Sequence, residues 1–511
     1  MGDTGPWHTL SCVTASAISC STHGLAGVPI RVEADIANGL PHFTIVGLTD
    51  RAIQEARERV RSAVRNSDFV FPQQRITVNL APAEVPKEGT GFDLAIAIAL
   101  LIADGRAAEP SVTAFLAELA LDGRLRPVTG VLPMARCLAA HGLRRVVVAE
   151  ENAGEAALVE GVEVLAALRL RDCIDYLNGE RPLRPQPRTA MRATACAPDV
   201  DLAAVRGQAT AKRALEIAAA GGHNVLMTGP PGAGKTMLAR AFPWLLPDLK
   251  TDQALEVAAV YSLRGAFKER PADSLRPPFR APHHSVSRAG LVGGGTGLAH
   301  PGEISLAHNG VLFLDELCEF PRSHLEALRQ PLEERAVTVV RARAAVRYPA
   351  HFMLVAAANP CPCGHLGDGE GCRCMPRQLT DYQARLSGPI RDRIDLTVTV
   401  PRQPYGELFE DRVEEPTAVV RGRVQGARRR QAARSRVLNS CLQGRELRVA
   451  CGLGASGRRL LAKSGERLHL SARGFFRVLR VARTIADLAD ADSVGDDALA
   501  EALRYRVLSD G

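Results

Sequence analysis

One eight-residue loop constrains the fold of this chain more than any other part of its sequence. Residues Gly229–Thr236 read GPPGAGKT and match the pattern G-x-x-x-x-G-K-[ST]. The apolar segment Asn224–Thr228 predicts a buried strand directly before the loop, and a helix is expected directly after it. Backbone N–H groups of such a turn form a concave anion site at the start of the helix. The sequence therefore predicts a phosphate-binding loop in an α/β fold built on a parallel sheet.

The same pattern predicts the ligands of the loop. Lys235 would reach the β- and γ-phosphates of ATP, and the Thr236 hydroxyl would ligate Mg²⁺. The alternative is a chance glycine-rich turn, and the strand–loop–helix context argues against it. The expected nucleotide-binding residues are Gly229, Pro230, Pro231, Gly232, Ala233, Gly234, Lys235, Thr236 and Met237.

Polar residues follow two other predicted strands. The apolar strand Gly310–Leu314 ends in Asp315 and Glu316. Asp315 would hold Mg²⁺ through water, and Glu316 would polarise the water that attacks the phosphate. Asn359 follows the predicted strand Phe352–Ala358, where its amide can contact the γ-phosphate, although asparagine also ends strands as a turn residue.

Two arginines, Arg391 and Arg393, lie close together after the predicted sheet strands. The charge that develops on a transferred phosphoryl group can be met by an arginine from a neighbouring subunit. A surface ion pair such as Arg393–Asp395 explains the segment equally well from the residues alone.

Four cysteines form the pattern C-x-C-x₈-C-x-C at Cys361, Cys363, Cys372 and Cys374. Four thiolates at this spacing suit a tetrahedral structural zinc site, and the alternative is four reduced cysteines in a loop. The chain has 12 cysteines, and Met1–Trp7 shows no secretory signal, so reduced thiols or a metal are favoured over disulfides.

The charge distribution permits a polyanionic partner. The formal net charge is +8, but it is spread over 511 residues. A predicted hairpin with arginines near its tip could grip a phosphodiester backbone, whereas most charge runs are solvated faces. The basic residues concerned are Arg335, Arg341, Arg343 and Arg347 in the hairpin, and Arg428, Arg429, Arg430, Arg434 and Arg436 in a later run.

Changes in composition divide the chain. The stretch 179–199 is rich in proline and arginine and predicts a linker, and a second proline-rich stretch follows Pro401. The apolar run Leu94–Ala103 is about half the ~20 residues of a membrane span, so a buried helix, no membrane partner and a cytoplasmic location are expected. The expected units are an α/β or α+β domain at 1–178, an α/β core at 200–402 with a cysteine-rich insert at 361–374, and a helical domain at 403–511.

Together these segments resemble the magnesium-chelatase-like AAA+ ATPases of the YifB/ComM group over nearly the full length of the chain. Few other families combine the segment APHHS with NPCPCG. The residues that carry the resemblance are Val205–Gln208, Gly229–Thr236, Ala281–Ser285, Pro301–Gly310, Leu314–Leu317, Asn359–Gly364 and Ser471–Arg473.

The resemblance implies an AAA+ core with a C-terminal helical lid, assembled as a homo-hexamer with ATP between subunits. It assigns Asn359 to sensor 1, Arg393 to the arginine finger that acts on the neighbouring subunit, and Arg473 to sensor 2 at the start of the lid helix. It also places segments 280–300 and 335–350 at the central channel. ComM-type members are DNA helicases that promote branch migration in natural transformation, so single-stranded or branched DNA is the expected partner.

The first domain resembles the Lon-protease-like fold, which is α+β and similar to ribosomal S5 domain 2. Here Pro86–Thr90 is followed by Gly91, and Met134 stands where a lysine partner would be expected. Since a Ser–Lys nucleophile needs both groups, this domain is not expected to be a protease but to help assemble the ring or contact DNA.

Two other functions fit the same motifs. One is a magnesium chelatase motor subunit that works through protein partners on a porphyrin. The other is a nucleotide-switched assembly factor that needs no nucleic acid. The leading hypothesis remains an ATP-driven DNA translocase or helicase.

Overall fold

The computed structural model describes residues 15–47, 51–193, 198–266, 274–295, 299–340, 345–367, 371–385, 388–404 and 414–506. Within these residues the chain forms two large β-sheets with helices packed on them, followed by a group of C-terminal helices. This mixed α/β architecture with a parallel sheet confirms the fold class predicted from the sequence.

Residues 15–177 form the N-terminal module. Its strands are β1 (Ala15–His23), β2 (Ala26–Ala37), β3 (His42–Val46), β4 (Arg75–Ala81), β5 (Thr113–Leu116), β6 (Glu118–Leu119), β7 (Leu125–Arg126), β8 (Arg145–Ala149) and β9 (Glu163–Ala167). Its helices are α1 (Arg51–Arg65), α2 (Asp93–Ala103), α3 (Val131–Ala140), α4 (Glu150–Ala156) and α5 (Leu170–Leu177).

Seven of these strands form one mixed sheet in the order β3-β4-β2-β1-β5-β8-β9. Helix α2 packs on this sheet, and Asp93–Leu101 of this helix is buried throughout. Its one charged residue, Asp93, pairs with Arg59 at 2.6 Å. The apolar run that the sequence assigned to a buried helix therefore lies in the module's core. No helix in the described part of the chain is long and apolar enough to cross a bilayer.

The second sheet, the core sheet, is entirely parallel. It has the order β11-β14-β17-β10-β18. Its strands are nearly all buried apolar residues, as expected for a sheet covered on both faces. The strands are β10 (Val225–Thr228), β11 (Phe279–Arg280), β14 (Val311–Leu314), β17 (Met353–Ala358) and β18 (Leu396–Thr399).

Helices and two small hairpins surround the core sheet. The hairpins pair β12 (Gly293–Gly294) with β13 (His300–Pro301), and β15 (Ala336–Val340) with β16 (Ala345–Pro349). The predicted tip arginines, Arg341 and Arg343, lie outside the described residues. The helices are α6 (Ala209–Gly221), α7 (Lys235–Ala241), α8 (Thr251–Arg264), α9 (Arg288–Val292), α10 (Glu303–Leu306), α11 (Arg322–Ala327), α12 (Arg329–Glu334), α13 (Pro376–Arg385) and α14 (Gly388–Arg391).

The described residues 414–506 contain five α-helices: α15 (Thr417–Arg434), α16 (Gly444–Cys451), α17 (Ala455–Arg467), α18 (Ala472–Leu488) and α19 (Asp496–Arg504). Three arginines of the basic run on α15 bind groups of the same chain. Arg428 donates to the carbonyl of Ala219, Arg434 pairs with Asp487, and Arg430 pairs with two aspartates of the loop after α18. These three arginines therefore all have partners within the chain, although Arg430 and its two aspartates lie at the surface.

The N-terminal module packs directly on the core. Helix α3 contacts α8, and the N–H of Gly130 donates to the carbonyl of Ser262 at 3.1 Å. The described part of the predicted linker runs along the N-terminal module, where the backbone N–H of Gln186 donates to the carbonyl of Val164 at 2.8 Å. The linker thus lies against the surface of this module.

Candidate nucleotide-binding site

Three loops meet at the carboxyl edge of the core sheet. Strand β17 lies between β10 and β14, so the segments that follow these three strands are neighbours. The segments begin with Gly229 after β10, Asn359 after β17 and Asp315 after β14. The carboxyl edge of a parallel sheet is where such folds bind ligands. The structure thus brings together residues that the sequence separates by 130 positions.

The loop after β10 has the backbone that its glycines predict. Gly232 and Gly234 have φ angles of 77° and 94°, in the left-handed region that side chains disfavour. A Cβ atom at Gly229 would lie 2.1 Å from the carbonyl oxygen of Val400. The loop therefore needs glycine for conformation at two positions and for close packing at a third. Met237, on the first turn of α7, is partly exposed beside it.

Lys235 is buried beneath this loop. Its Nζ donates to the carbonyls of Gly229 and Pro230 at 2.6 and 2.8 Å and to Oδ1 of Asn359 at 3.2 Å. Burial lowers the pKa of Lys235, and the nearby Asp315 and Glu316 oppose that effect. The ammonium group is thus held where the strand ends of β10 and β17 meet.

Thr236 and Asp315 offer hard oxygen donors side by side. The Thr236 hydroxyl donates to Oδ2 of Asp315 at 2.8 Å, and the N–H of Glu316 donates to Oδ1 of the same carboxylate at 3.0 Å. A hydroxyl and a carboxylate are ligands that Mg²⁺ accepts. These two residues therefore fit the magnesium role predicted for them.

Glu316 has a partner that the sequence did not reveal. His284 Nδ1 lies 3.4 Å from Oε2 of Glu316, and the Glu316 backbone has a φ of 50°. Strand β11 pairs in parallel with β14, so the residues that follow the two strands come side by side. The APHHS segment was identified by resemblance alone, without a role for His284.

Gln208 is a second residue without a predicted role. Its side-chain amide donates to the carbonyl of Ala233 at 3.2 Å and to that of Pro401 at 2.6 Å. It is buried and thereby ties the phosphate-binding loop to the segment after β18. The VRGQ segment that precedes α6 carried a signal, but only as a family pattern.

The four predicted cysteines form a cluster beside the loop. Their sulfur atoms all lie within 4.8 Å of one another, and three pairs are 3.3, 3.6 and 3.7 Å apart. A tetrahedral ZnS₄ centre with bonds of 2.3 Å has sulfur atoms about 3.8 Å apart, so the cluster fits zinc. Backbone N–H groups of His365 and Arg373 lower the pKa of Cys363 to about 6, whereas burial and hydrogen bonds to neighbouring thiols raise the pKa of Cys372 and Cys374.

Glycine 364 connects the cysteine cluster to the nucleotide site. It has a φ of 83°, and a Cβ atom there would lie 2.5 Å from Cδ of Pro231. Pro231 belongs to the phosphate-binding loop. The first turn of the cluster therefore packs directly on the loop.

Arg393 and Arg473 lie at the opposite edge of the core sheet. Both line a cavity of about 410 Å³ whose other walls include Asn224 and Phe352, the residues that directly precede β10 and β17. A strand of four to six residues is roughly 13–20 Å long, which separates this cavity from the loop of the same subunit. The structure thus brings Arg393 and Arg473 together, but not with the other predicted site residues.

A further cavity, of about 460 Å³, lies in the N-terminal module and is closed by core residues such as His300. Thr90 and Met134 line it, and the Thr90 hydroxyl donates to Glu118. No lysine is among the described residues that line this cavity. The nearby Lys87 is buried and donates to the carbonyl of Pro82 instead. The described cavity therefore lacks a Ser–Lys nucleophile.

Comparison with known proteins identifies the family of this chain. Family models match residues 201–408 (magnesium chelatase, subunit ChlI), 32–152 (subunit ChlI of Mg-chelatase) and 414–506 (magnesium chelatase, subunit ChlI C-terminal). The chain is 46% identical over 489 residues to the uncharacterized protein YifB of Escherichia coli, covering 95% of each chain. The chain belongs to the magnesium-chelatase-like AAA+ family. The resemblance predicted from the sequence is thereby confirmed.

Two other relatives of this magnesium-chelatase-like AAA+ protein are informative. The competence protein ComM of Haemophilus influenzae is 45% identical over 508 residues, 97% of each chain. A peroxisomal Lon protease homolog of Oryza sativa is 28% identical over 176 residues, 31% of this chain and 20% of that protein. The Lon similarity agrees with the Lon-like component of the predicted fold class.

Proposed function

We propose that this protein is an ATP-hydrolysing motor that acts on DNA in the cytoplasm as a translocase or helicase. The observation that carries the ATPase proposal is the convergence of Lys235, Thr236, Asp315, Glu316 and Asn359 at one edge of a parallel sheet. Lys235 supplies a cation for phosphate, and Thr236 and Asp315 supply oxygen donors for a metal. Glu316 supplies a base for the attacking water, and Asn359 supplies an amide.

Each residue has one task in the proposed reaction. The loop N–H groups and Lys235 bind the β- and γ-phosphates, while Thr236 and Asp315 would hold Mg²⁺, which neutralises phosphate charge when bound. Glu316 orients and polarises the attacking water, and the Asn359 amide contacts the γ-phosphate or that water. His284, at 3.4 Å from Glu316, positions this carboxylate before the attacking water is bound.

The proposed assembly is a homo-hexamer with shared sites. Arg393 and Arg473 lie at the sheet edge opposite the loop of their own subunit, which supports the proposal that they act on ATP bound by a neighbour. In a head-to-tail ring each subunit presents one edge of its sheet to the opposite edge of the next. Arg393 then stabilises the charge that develops on the transferred phosphoryl group.

The support for DNA is narrower. One relative is named a competence protein, and the hairpin β15–β16 exposes Arg347 on the face opposite its buried valines. Arg335, which the sequence also assigned to this hairpin, contacts the Cys441 sulfur in the 410 Å³ cavity that Arg393 and Arg473 line. We place the DNA contact at the tip of this hairpin, where it would bind the phosphodiester backbone.

One assay tests this proposal. The ATPase rate of the purified protein is measured with and without single-stranded and forked DNA, together with DNA retention at several salt concentrations. We expect DNA to raise the rate and retention to fall with salt, because phosphate contacts release counterions. An ATPase rate unchanged by DNA, with no retention at moderate salt, would rule out the helicase function.

That outcome would favour a second candidate function. The three matching family models carry the name of a magnesium chelatase subunit, so a motor that acts on protein partners is consistent with the family. Normal ATP turnover without any DNA response, combined with capture of a protein partner in the ATP-bound state, would support it. A nucleotide-switched assembly factor would instead bind ATP with negligible turnover.

We also propose that the cysteine cluster binds one structural zinc ion through Cys361, Cys363, Cys372 and Cys374. Metal analysis of protein purified under reducing conditions should find about one zinc per chain. Cys363→Ser should lose the metal, whereas Cys137→Ser, a half-buried cysteine outside the cluster, should retain it. Wild-type protein without zinc would disprove this site.

A further inference from the structure

The cavity around Arg393 is strongly cationic. Among its described lining residues are five arginines and two carboxylates, Glu333 and Asp395. Three of the arginines share one face of α18, because positions four and three residues apart on a helix align. The arginines are Arg335, Arg393, Arg473, Arg477 and Arg480.

The two carboxylates of the cavity differ in how firmly they are held. Asp395 is buried, accepts the backbone N–H of Asn224 at 3.1 Å and lies 3.6 Å from Arg477. It is built into the sheet edge. The side chain of Glu333 is 50% exposed, at the end of the six-residue helix α12. Glu333 can therefore leave the cavity by rotating its side chain, whereas Asp395 cannot.

Glu333 contacts the two arginines to which the proposed function gives roles. Its Oε1 forms an ion pair with Nη2 of Arg393 and lies 3.9 Å from Nη1 of Arg473. The side chain of Arg393 is only 8% exposed, while that of Arg473 is 66% exposed. The same carboxylate oxygen thus lies between the proposed finger and the proposed sensor.

A carboxylate and a phosphoryl group compete for the same arginines. Both present oxygens that accept hydrogen bonds from guanidinium groups, and two anions at one site repel each other. We propose that Glu333 is a displaceable counter-ion that holds Arg393 and Arg473 within their own subunit until the γ-phosphate of a neighbour's ATP replaces it. This inference rests on the proposed function and adds a regulatory residue to the shared site.

The consequence is a threshold for hydrolysis. Arg393 becomes available only when the neighbour's phosphate outcompetes Glu333, so an incompletely closed interface leaves the arginine neutralised. Glu333→Gln keeps the shape of the side chain and removes its charge. In this variant the neighbour's phosphate no longer competes with a carboxylate for Arg393 and Arg473. Hydrolysis should therefore begin at a less tightly closed interface between subunits.

The first test compares full-length Glu333→Gln with Glu334→Gln. The adjacent Glu334 accepts a hydrogen bond from Gln330 at 2.9 Å and serves as a matched loss of one charge. Because Glu333 is half exposed and solvent weakens its ion pairs, we expect kcat for ATP to rise only about two- to fivefold in Glu333→Gln. Glu334→Gln should match the wild type. An unchanged or lower kcat in Glu333→Gln would overturn the proposal.

The second test measures assembly. In a Glu316→Gln background with ATP present, Glu333→Gln should shift the formation of hexamers to lower protein concentration, as observed by mass photometry. The shift should vanish when Arg393→Ala and Arg473→Ala are added, and its persistence would contradict the proposal. A wild-type protein that lacks ATPase activity altogether would instead refute the proposed function, so the two failures are distinguishable.

Discussion

Lys235 is the residue on which nucleotide binding most depends. Its ammonium group is the one cation buried under the loop in the described structure, and it contacts strand ends from both β10 and β17. We expect Lys235→Ala to weaken ATP binding by about 100-fold or more, because charge-assisted contacts to phosphate are lost. Titration with a fluorescent ATP analogue measures this. Lys463→Ala, at an exposed lysine, is the control, and near-normal affinity in Lys235→Ala would contradict the assignment.

Glu316 should separate binding from hydrolysis. Glu316→Gln keeps a side chain of the same shape but cannot accept a proton from water, so kcat should fall by about 10²- to 10⁴-fold with ATP still bound. The measurement combines single-turnover hydrolysis with an ATP-binding titration. The carboxylate of Glu319 pairs with Arg385 at 3.5 Å and has no role in the proposed reaction, so Glu319→Gln should retain turnover. Rapid hydrolysis by Glu316→Gln would refute the role of Glu316.

At this scale the sequence predicted residues that follow regular strands and missed those placed by strand pairing. Asp315 and Asn359 could be predicted because each ends an apolar strand of a recognisable type. His284 could not, since it follows a two-residue strand in a glycine-rich segment, and only the pairing of β11 with β14 brings it to Glu316. The roles of all these residues stay predictions until the variants are measured.

At the scale of elements, the buried strands were the most predictable part of the chain. Asn224–Thr228 and Phe352–Ala358 were predicted as strands, and each begins one residue later in the structure. The run from Arg428 to Arg436 was less predictable, because a charge run does not show which side chains meet buried carbonyls or aspartates. Only the packing of α15 against α6 and α18 reveals those partners.

The contact between the cysteine cluster and the loop gives a prediction for this element. Gly364→Ala would place a Cβ atom 2.5 Å from Pro231, so the loop must shift and the KM for ATP should rise several-fold. Gly367→Ala is a matched control, because Gly367 also has a positive φ, of 82°, but a Cβ atom there meets no atom of the described residues within 4 Å. The Gly367→Ala substitution should lower the free energy of unfolding by about 1–2 kcal/mol through backbone strain alone.

Steady-state kinetics at several ATP concentrations, with thermal melting of both variants, separates the two effects. Equal KM values for Gly364→Ala and Gly367→Ala would show that the cluster does not position the loop. A higher KM in Gly364→Ala alone, at similar melting temperatures, would show that the first turn of the cluster supports nucleotide binding.

For the whole molecule, the decisive feature is that the site residues lie on opposite edges of the core sheet. Lys235 is at the carboxyl edge, whereas Arg393 lines the cavity at the amino edge. If ATP is hydrolysed between subunits, the two residues of one site come from different chains. Lys235→Ala and Arg393→Ala should then each be inactive alone, yet should complement each other when mixed.

The expected size of this effect follows from random assembly. In a 1:1 mixture, half of the interfaces have an intact loop on one side, and half of those meet an intact Arg393 on the other. About a quarter of the interfaces should therefore be productive, which predicts about a quarter of wild-type ATPase activity if sites act independently. Activity is measured after disassembly and reassembly of the mixture. A mixture of Lys235→Ala with the double variant Lys235→Ala/Arg393→Ala has no intact loop and should stay inactive. If the first mixture also stays inactive while hexamers form, Arg393 does not act across the interface.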